Sequence, residues 1–285
     1  MSILHITSGD CSGELISKTG IDGDVFVWHD ILYTGPRNPG WPTDDTLLAR
    51  AEFIEVETGG GLSKDFLLKS LINQYDKLKQ TGDYDRIILW FDACLFDQAM
   101  LAHILTCLHI KGITNVDLLC VDAFSGVEPY DGLGQLTSQQ LASVYGQRRP
   151  VSAEQFAFAA LVDKAFALQD KTAFNQISNY INPPLARVPA AVKRWLLEIP
   201  DTGLGRLEQL AFDAVKSGCM TPIEIYKHAS TNDTHPQFWG DTTLWGKVNS
   251  LADRELVYIE GPTAKLPQWD CTRINDYRVR CGETI

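Results

Sequence analysis

The sequence predicts an α/β protein built on a mainly parallel sheet, followed by a helical segment and a small C-terminal domain. Over the first 125 residues, short apolar runs alternate with helical patterns. Strands that are apolar on both faces are typical of parallel sheets. The pattern is helical from Thr137 to about Pro200, and three helices with a terminal hairpin follow, as in a winged helix-turn-helix. We therefore expect a Rossmann-like domain over residues 1–135, a helical extension packing on it over 136–200, and a winged-helix-like domain over 201–285.

Strands and helices alternate in the first domain. Each predicted strand is a short run of mostly apolar residues. A serine opens the helix that begins at Ser63, and Gly112 ends the last helix of the domain. The predicted strands are Ile3–Thr7, Asp24–Asp30, Arg86–Phe91 and Val116–Val121, and the predicted helices are Glu14–Thr19, Thr46–Glu57, Ser63–Gln80 and Leu95–Lys111.

The rest of the chain is predicted to be mostly helical. A broad apolar face marks the first helix after the sheet, and prolines then separate it from the next. The predicted helices are Val151–Gln169, Ala190–Ile199, Leu204–Ser217, Pro222–Ala229 and Asp241–Asp253, and the predicted strands of the hairpin are Leu256–Glu260 and Thr272–Val279.

Composition narrows the class of protein. Acidic residues outnumber basic ones 36 to 25, so the net charge is −11 and general binding to nucleic acid is not expected. No apolar run is long enough to span a bilayer, and the N-terminus lacks the features of a signal peptide. The 7 cysteines contain no CxxC pair, which argues against a disulfide framework and a structural zinc site. We expect a cytoplasmic protein that does not associate with membranes.

Several short motifs are shared with one bacterial family. They include His5–Asp10, Trp28–Asp30, Leu89–Asp92 and Gly132–Thr137. Together these motifs resemble the proteins grouped as domain of unknown function 1835, and the tail is similar to the uncharacterised domain that usually accompanies it. The resemblance implies no established activity. It leads us to expect a second acid where Cys94 stands, so an activity that needed this acid would be impaired here.

Acidic residues recur where the predicted strands end. Ligands of open parallel sheets bind at the carboxyl ends of the strands, and carboxylates gathered there need a cation, an amine-bearing ligand or shared protons. The loop after the first strand is rich in small residues but lacks both the dinucleotide-binding fingerprint and the P-loop. The residues expected to bind a ligand are Ser8, Gly9, Asp10, Asp30, Asp92, Asp97 and Gln98.

Three functions remain open from the sequence. The first is binding of a small polar or nucleotide-like ligand at this edge of the sheet. The second is metal-assisted hydrolysis or phosphoryl transfer through the strand-end carboxylates. The third is transcriptional regulation or protein interaction through the C-terminal domain, whose third helix offers Lys247 as its one basic residue. The structural alternative is that these acids only cap helices and form turns. The sequence assigns no catalytic residue, metal or cofactor, and a protein partner or homo-oligomer stays open.

Overall fold

A five-stranded, mostly parallel sheet is the centre of the fold, as the computed structural model shows for residues 1–282. The strands lie in the order β2-β1-β3-β4-β5, and β5 alone runs antiparallel. The predicted α/β class and mainly parallel sheet are confirmed. The strand β5 was not predicted, because its two residues are too few to show an alternation of apolar and polar side chains. The strands are β1 (Ile3–Ser8), β2 (Asp24–Trp28), β3 (Arg86–Asp92), β4 (Val116–Val121) and β5 (Arg149–Pro150).

Helices cover both faces of this sheet. On one face, α1 packs so closely on β2 that a Cβ on Gly13 would lie 2.3 Å from Val27 Cγ2. On the other face, the Trp28 ring contacts Tyr75 of α3 and His103 of α4. The helices up to the end of the helical extension are α1 (Asp10–Ser17), α2 (Asp44–Glu57), α3 (Lys64–Lys79), α4 (Leu95–Ile110), α5 (Ser138–Val144), α6 (Ala153–Leu168), α7 (Lys171–Ser178) and α8 (Val188–Glu198).

The first helix begins earlier than its sequence predicts. Gly9 adopts a φ of 70°, a left-handed conformation that glycine accepts without strain. The chain therefore turns directly out of β1 into α1, and Asp10 lies in the first turn of that helix. The expectation that Asp10 belongs to a loop is wrong, because a single glycine makes the whole turn.

A buried ion-pair network holds the loop after β2 against α4 and α6. Arg37 Nη1 donates to Asp163 Oδ1 at 2.5 Å, and the backbone N–H of Gly40 donates to Asp163 Oδ2 at 2.6 Å. His103 Nδ1 lies 3.0 Å from Asp163 Oδ1, and its Nε2 lies 2.7 Å from the Tyr75 hydroxyl. Burial raises the pKa of Asp163, but the charges and hydrogen bonds of His103 and Arg37 outweigh it and hold that pKa below its ordinary value.

The chain divides into two compact units. The first contains Met1–Leu47, Lys69–Trp195 and His235–Phe238, and therefore the whole five-stranded sheet. The second contains Leu48–Leu68, Leu196–Thr234 and the chain from Trp239 onward.

The second unit combines helices with a two-stranded antiparallel sheet. α9 packs against both α10 and α11, and Leu207, Leu244 and Trp245 are buried in its core. Its elements are α9 (Arg206–Lys216), α10 (Pro222–Asn232), α11 (Asp241–Asp253), β6 (Val257–Glu260) and β7 (Arg278–Cys281).

The last predicted strand is placed wrongly by the sequence. Most of the predicted range Thr272–Val279 forms a 3-10 helix over Cys271–Asp276, and β7 starts only at Arg278. The Arg273 guanidinium donates to Asp276 within this turn at 2.8 Å. Asparagine and aspartate favour turns over strands, so Asn275 and Asp276 end the extended pattern that the apolar residues suggest.

Within residues 1–282, no helix combines the length and the apolar character needed to cross a membrane.

Candidate functional site

The site lies where two neighbouring parallel strands lead to opposite faces of the sheet. β1 continues into α1 on one face, whereas β3 continues into α4 on the other. Thr7 pairs with Trp90, so Gly9 stands level with Asp92 two residues later. Chains that diverge in this way leave a crevice between the strand ends, which is where parallel α/β sheets bind ligands.

Asp92, Cys94 and Asp97 are joined by three hydrogen bonds at the start of α4. The backbone N–H of Cys94 donates to Asp92 Oδ1 at 2.8 Å, and that of Asp92 donates to Asp97 Oδ2 at 2.7 Å. The backbone N–H of Asp97 donates to Cys94 Sγ at 3.4 Å, so Cys94 is the N-cap residue. The last of these bonds satisfies an N–H group that the first turn of a helix leaves open, and the other two fix the turn between β3 and α4.

The two carboxyl groups of this cluster also interact with each other. Asp92 and Asp97 are hydrogen-bonded through their side chains, which requires a proton between them. Burial, and then the charge of Asp92, raises the pKa of Asp97 well above its ordinary value, and burial raises the pKa of Asp92. Burial and both carboxylates raise the pKa of the Cys94 thiol well above its ordinary value. The pair therefore holds a proton at a pH where exposed carboxylates have none.

Two residues expected from the sequence complete the surroundings of this pair. The Ser8 hydroxyl, at the end of β1, is hydrogen-bonded to the Asp97 carboxyl. Gln98 Nε2 donates to the backbone oxygen of Asp92 at 2.6 Å and lies 3.6 Å from Cys120 Sγ. Burial, and then the charge of Asp92, raises the pKa of Cys120 to about 12. The structure thus brings Ser8, Asp92, Asp97 and Gln98 together.

A loop that sequence reasoning did not assign to the site closes over Asp92. The backbone N–H of Leu133 is hydrogen-bonded to Asp92. Gly132 has a φ of 133°, and a Cβ there would lie 2.6 Å from Asp92 Oδ2. The position requires glycine for both reasons. The Gly132–Thr137 motif was noted only as part of the family resemblance, and its glycines were the signal of this close approach.

Tyr130 adds a buried hydroxyl beside the same carboxyl pair. Tyr130 is 7% exposed, and its hydroxyl has no hydrogen-bond partner among the described residues. Burial, and then the charges of Asp92 and Asp97, raises the pKa of Tyr130, so the hydroxyl lies within electrostatic reach of both. Buried polar groups normally have a partner. Nothing in the local sequence marks Tyr130, because a tyrosine in a core is ordinary.

The remaining expected residues, Asp10 and Asp30, lie toward the end of β2, which β1 separates from β3 and Asp92. Asp10 Oδ1 is 2.8 Å from His29 Nε2, and both side chains are exposed, by 86% and 49%. Gln74 fixes the backbone of His29, accepting from its N–H at 2.5 Å and donating to its carbonyl at 3.1 Å. Asp30 is buried, and its carboxylate accepts the backbone N–H of Ile31 at 2.7 Å. Since strands are spaced by about 4.8 Å, the end of β2 lies roughly 10 Å from Asp92.

Two charged residues next to β4 and β5, Asp122 and Arg148, have local partners. Asp122 forms an ion pair with Arg187. Arg148 lies 3.4 Å from Asp117 and stacks over the Tyr145 ring. These contacts explain both residues without a ligand.

The site offers one set of side chains that could hold a metal ion. Asp92, Cys94 and Asp97 each provide a ligand atom, and these atoms all lie within 4.8 Å of one another. Comparisons of the chain with models of protein families and with curated proteins find no match.

Proposed function

We propose that this protein binds a small polar, nucleotide-like ligand at the carboxyl edge of the parallel sheet, between the ends of β1 and β3. The observation that carries the proposal is the Tyr130 hydroxyl, which is buried without a partner within electrostatic reach of Asp92 and Asp97. Leaving a buried hydroxyl unsatisfied costs about 1–3 kcal/mol. A polar group of a ligand at this position would recover that cost.

The charges favour a particular part of such a ligand. Within the described chain, no lysine or arginine forms an ion pair with Asp92 or Asp97, so the carboxyl pair would repel a phosphate. A ribose hydroxyl can donate to the carboxylate and accept from Tyr130, and a nucleobase can do the same with an amino donor beside a ring-nitrogen acceptor. We therefore infer that the nucleoside part of the ligand meets the carboxyl pair.

Thermal unfolding with a ligand panel tests this proposal. The panel contains nucleosides, nucleotides and sugar phosphates in EDTA, and is measured on wild type, Tyr130→Phe and the exposed-tyrosine control Tyr180→Phe. At a hundredfold excess over Kd, a ligand stabilises the folded state by about 2.7 kcal/mol. We expect a shift in wild type and Tyr180→Phe that is at least halved in Tyr130→Phe.

The unliganded variants provide the internal control. Because Tyr130→Phe removes an unsatisfied hydroxyl, the free protein should be as stable as wild type or more stable by about 1 kcal/mol. A loss of binding without a loss of stability would identify a binding residue. A ligand shift that is equal in wild type and Tyr130→Phe, or no shift with any compound, would overturn the proposal.

We also propose that the sheet is Rossmann-like and that α9–α11 with β6 and β7 form a winged-helix-like domain. The order of three helices and an antiparallel hairpin supports the second assignment. Arg280 is paired with Glu260 at 3.1 Å and Arg273 with Asp276 at 2.8 Å. Because acids neutralise these two arginines, this domain fits contact with a protein better than contact with DNA. The resemblance to domain of unknown function 1835 belongs to the same proposal and rests on the sequence motifs.

A further inference from the structure

We propose that Asp92, Cys94 and Asp97 form a binding site for a single zinc-class divalent ion, with an open coordination position toward Tyr130. This inference goes beyond the binding of an organic ligand, which does not require an ion. It draws on the chemistry of three ligand atoms, on an unpartnered hydroxyl beside them and on the hydrogen bonds that orient them.

The three ligand atoms are close enough to share one ion. Two carboxylate oxygens and one sulfur lie within 4.8 Å of one another. In tetrahedral zinc sites, Zn–S distances of about 2.3 Å and Zn–O distances of about 2.0–2.2 Å place the ligand atoms roughly 3.4–3.6 Å apart. The ligand atoms therefore have at most about 1.4 Å to close to reach that spacing.

Tyr130 is the second and independent observation. It belongs neither to β3 nor to α4, and it has no part in capping the helix. Its hydroxyl is buried and unpartnered, and Tyr130 packs in one buried cluster with Trp90 of β3 and with Leu133, whose N–H is bonded to Asp92. Three protein ligands leave a fourth position for water or substrate, as in catalytic rather than structural zinc sites. A hydroxyl at that position can accept a hydrogen bond from the group bound there.

Backbone hydrogen bonds already orient each proposed ligand. The N–H groups of Cys94, Asp92 and Asp97 donate to Asp92 Oδ1, Asp97 Oδ2 and Cys94 Sγ, respectively. Each acceptor keeps further lone pairs for an ion. Outer hydrogen bonds of this kind fix the direction of metal ligands and raise affinity. No lysine or arginine of the described residues pairs with this cluster, so an ion would be its only full positive charge.

The sulfur decides which ion the site prefers. Magnesium and calcium bind oxygen ligands almost exclusively, whereas thiolates select zinc and cobalt among divalent ions. An acid at position 94 would give an all-oxygen set. Cys94 therefore shifts the site away from magnesium and toward zinc.

Cobalt(II) absorption and zinc calorimetry on the full chain test the site. The protein is first treated with EDTA, which is then removed. We expect one zinc ion per chain, no heat with Mg²⁺, and a near-ultraviolet thiolate-to-cobalt band. Cys94→Ser should abolish the band and weaken zinc binding at least tenfold. Asp97→Asn should also weaken zinc binding at least tenfold. Cys219→Ser removes a thiol of the second unit and should bind as wild type does.

The wild-type protein alone can overturn the inference, whatever happens to the variants. Absence of zinc binding, or cobalt binding without a thiolate band, excludes Cys94 as a ligand. A band that persists in a folded Cys94→Ser variant places the ion on another cysteine. An organic ligand that binds in EDTA while zinc does not bind would overturn this inference and leave the proposed function standing. If zinc binds while no organic compound of the panel binds, this inference stands and the proposed function is overturned.

Discussion

His5 shows how a single buried side chain can be held in one protonation state. Trp90 Nε1 donates to His5 Nδ1 at 3.0 Å, and His5 Nε2 lies 3.2 Å from the backbone oxygen of Asp22. Since Nδ1 must accept, the proton of the neutral ring is on Nε2. Burial lowers the pKa of His5 below its ordinary value. The folded protein therefore binds a second ring proton, at Nδ1, less readily than the unfolded chain does.

We predict that His5 makes folding sensitive to mild acid. A histidine whose pKa is lowered on folding leaves stability intact above about pH 6.5 and reduces it as pH falls below that value, by up to about 1.4 kcal/mol per unit. Urea unfolding at pH 8 and at pH 5.5 measures the difference. His5→Gln keeps an acceptor and a donor but cannot titrate. Its free energy of unfolding should therefore fall less between pH 8 and pH 5.5 than that of wild type. Equal losses in the two proteins would contradict the prediction.

At the residue scale, the sequence predicts the polar contacts that follow from helix starts and misses those made across the fold. Asp97 and Gln98 were expected because they open α4 directly after β3, and both contact Asp92. Asp10 was expected to face a ligand, and its partner His29 is distant in sequence. Tyr130 was missed as a site residue because its position near the carboxyl pair is set by the loop that carries it.

At the element scale, the close packing of α1 on β2 depends on one helical glycine. Gly13 lies in the middle of α1, where alanine would favour the helix by about 1 kcal/mol. A Cβ at Gly13 would nevertheless lie 2.3 Å from Val27 Cγ2. Valine is stiff about χ1, so α1 would have to move away from the sheet, and Asp10 in its first turn would move with it.

We predict that Gly13→Ala destabilises the protein despite its better helix propensity. Overpacking typically costs about 1–3 kcal/mol, and urea unfolding at neutral pH measures it. Gly146→Ala is the matched control, because a Cβ there meets nothing within 4 Å. The double variant Gly13→Ala with Val27→Ala should recover part of the loss relative to Val27→Ala alone. A Gly13→Ala variant more stable than wild type would show that α1 has room to shift.

Elements with a strong period and clear caps were predicted well, and irregular ones were not. α11 spans Asp241–Asp253, as predicted, because Gly240 and an aspartate mark its start. The strand predicted over Thr272–Val279 is mostly a 3-10 turn, since apolar residues alone do not distinguish a strand from a turn with one buried side chain. Ile274 is that side chain.

At the scale of the whole first unit, the Asp163 network joins parts of the chain that no secondary-structure pattern relates. Arg37 and Asp163 are 126 residues apart, and both side chains are almost fully buried. Removing one partner of a buried pair leaves an uncompensated charge, which costs far more than the pair itself contributes. No sequence spacing reveals such a pair, so it was not predicted.

We predict that Asp163→Asn lowers the free energy of unfolding by about 3–5 kcal/mol. Asp122→Asn is the control, because the ion pair of Asp122 with Arg187 is partly exposed and should contribute less than about 1 kcal/mol. Chemical denaturation of both variants measures the contrast. The pKa of Asp163 is lowered on folding, so its contribution is present at neutral pH and is lost as pH falls below roughly 4. Similar losses in the two variants would refute the assignment.

The separation between Arg37 and Asp163 has a consequence for synthesis of the chain. Translation adds about 5–20 residues per second, so a gap of 126 residues keeps the Arg37 guanidinium without its carboxylate for on the order of ten seconds. All four parallel strands have left the ribosome by then, but α6 has not. During that interval the nascent sheet lacks the helix that neutralises its buried cation. The buried position of Arg37 is therefore completed only when α6 has been made.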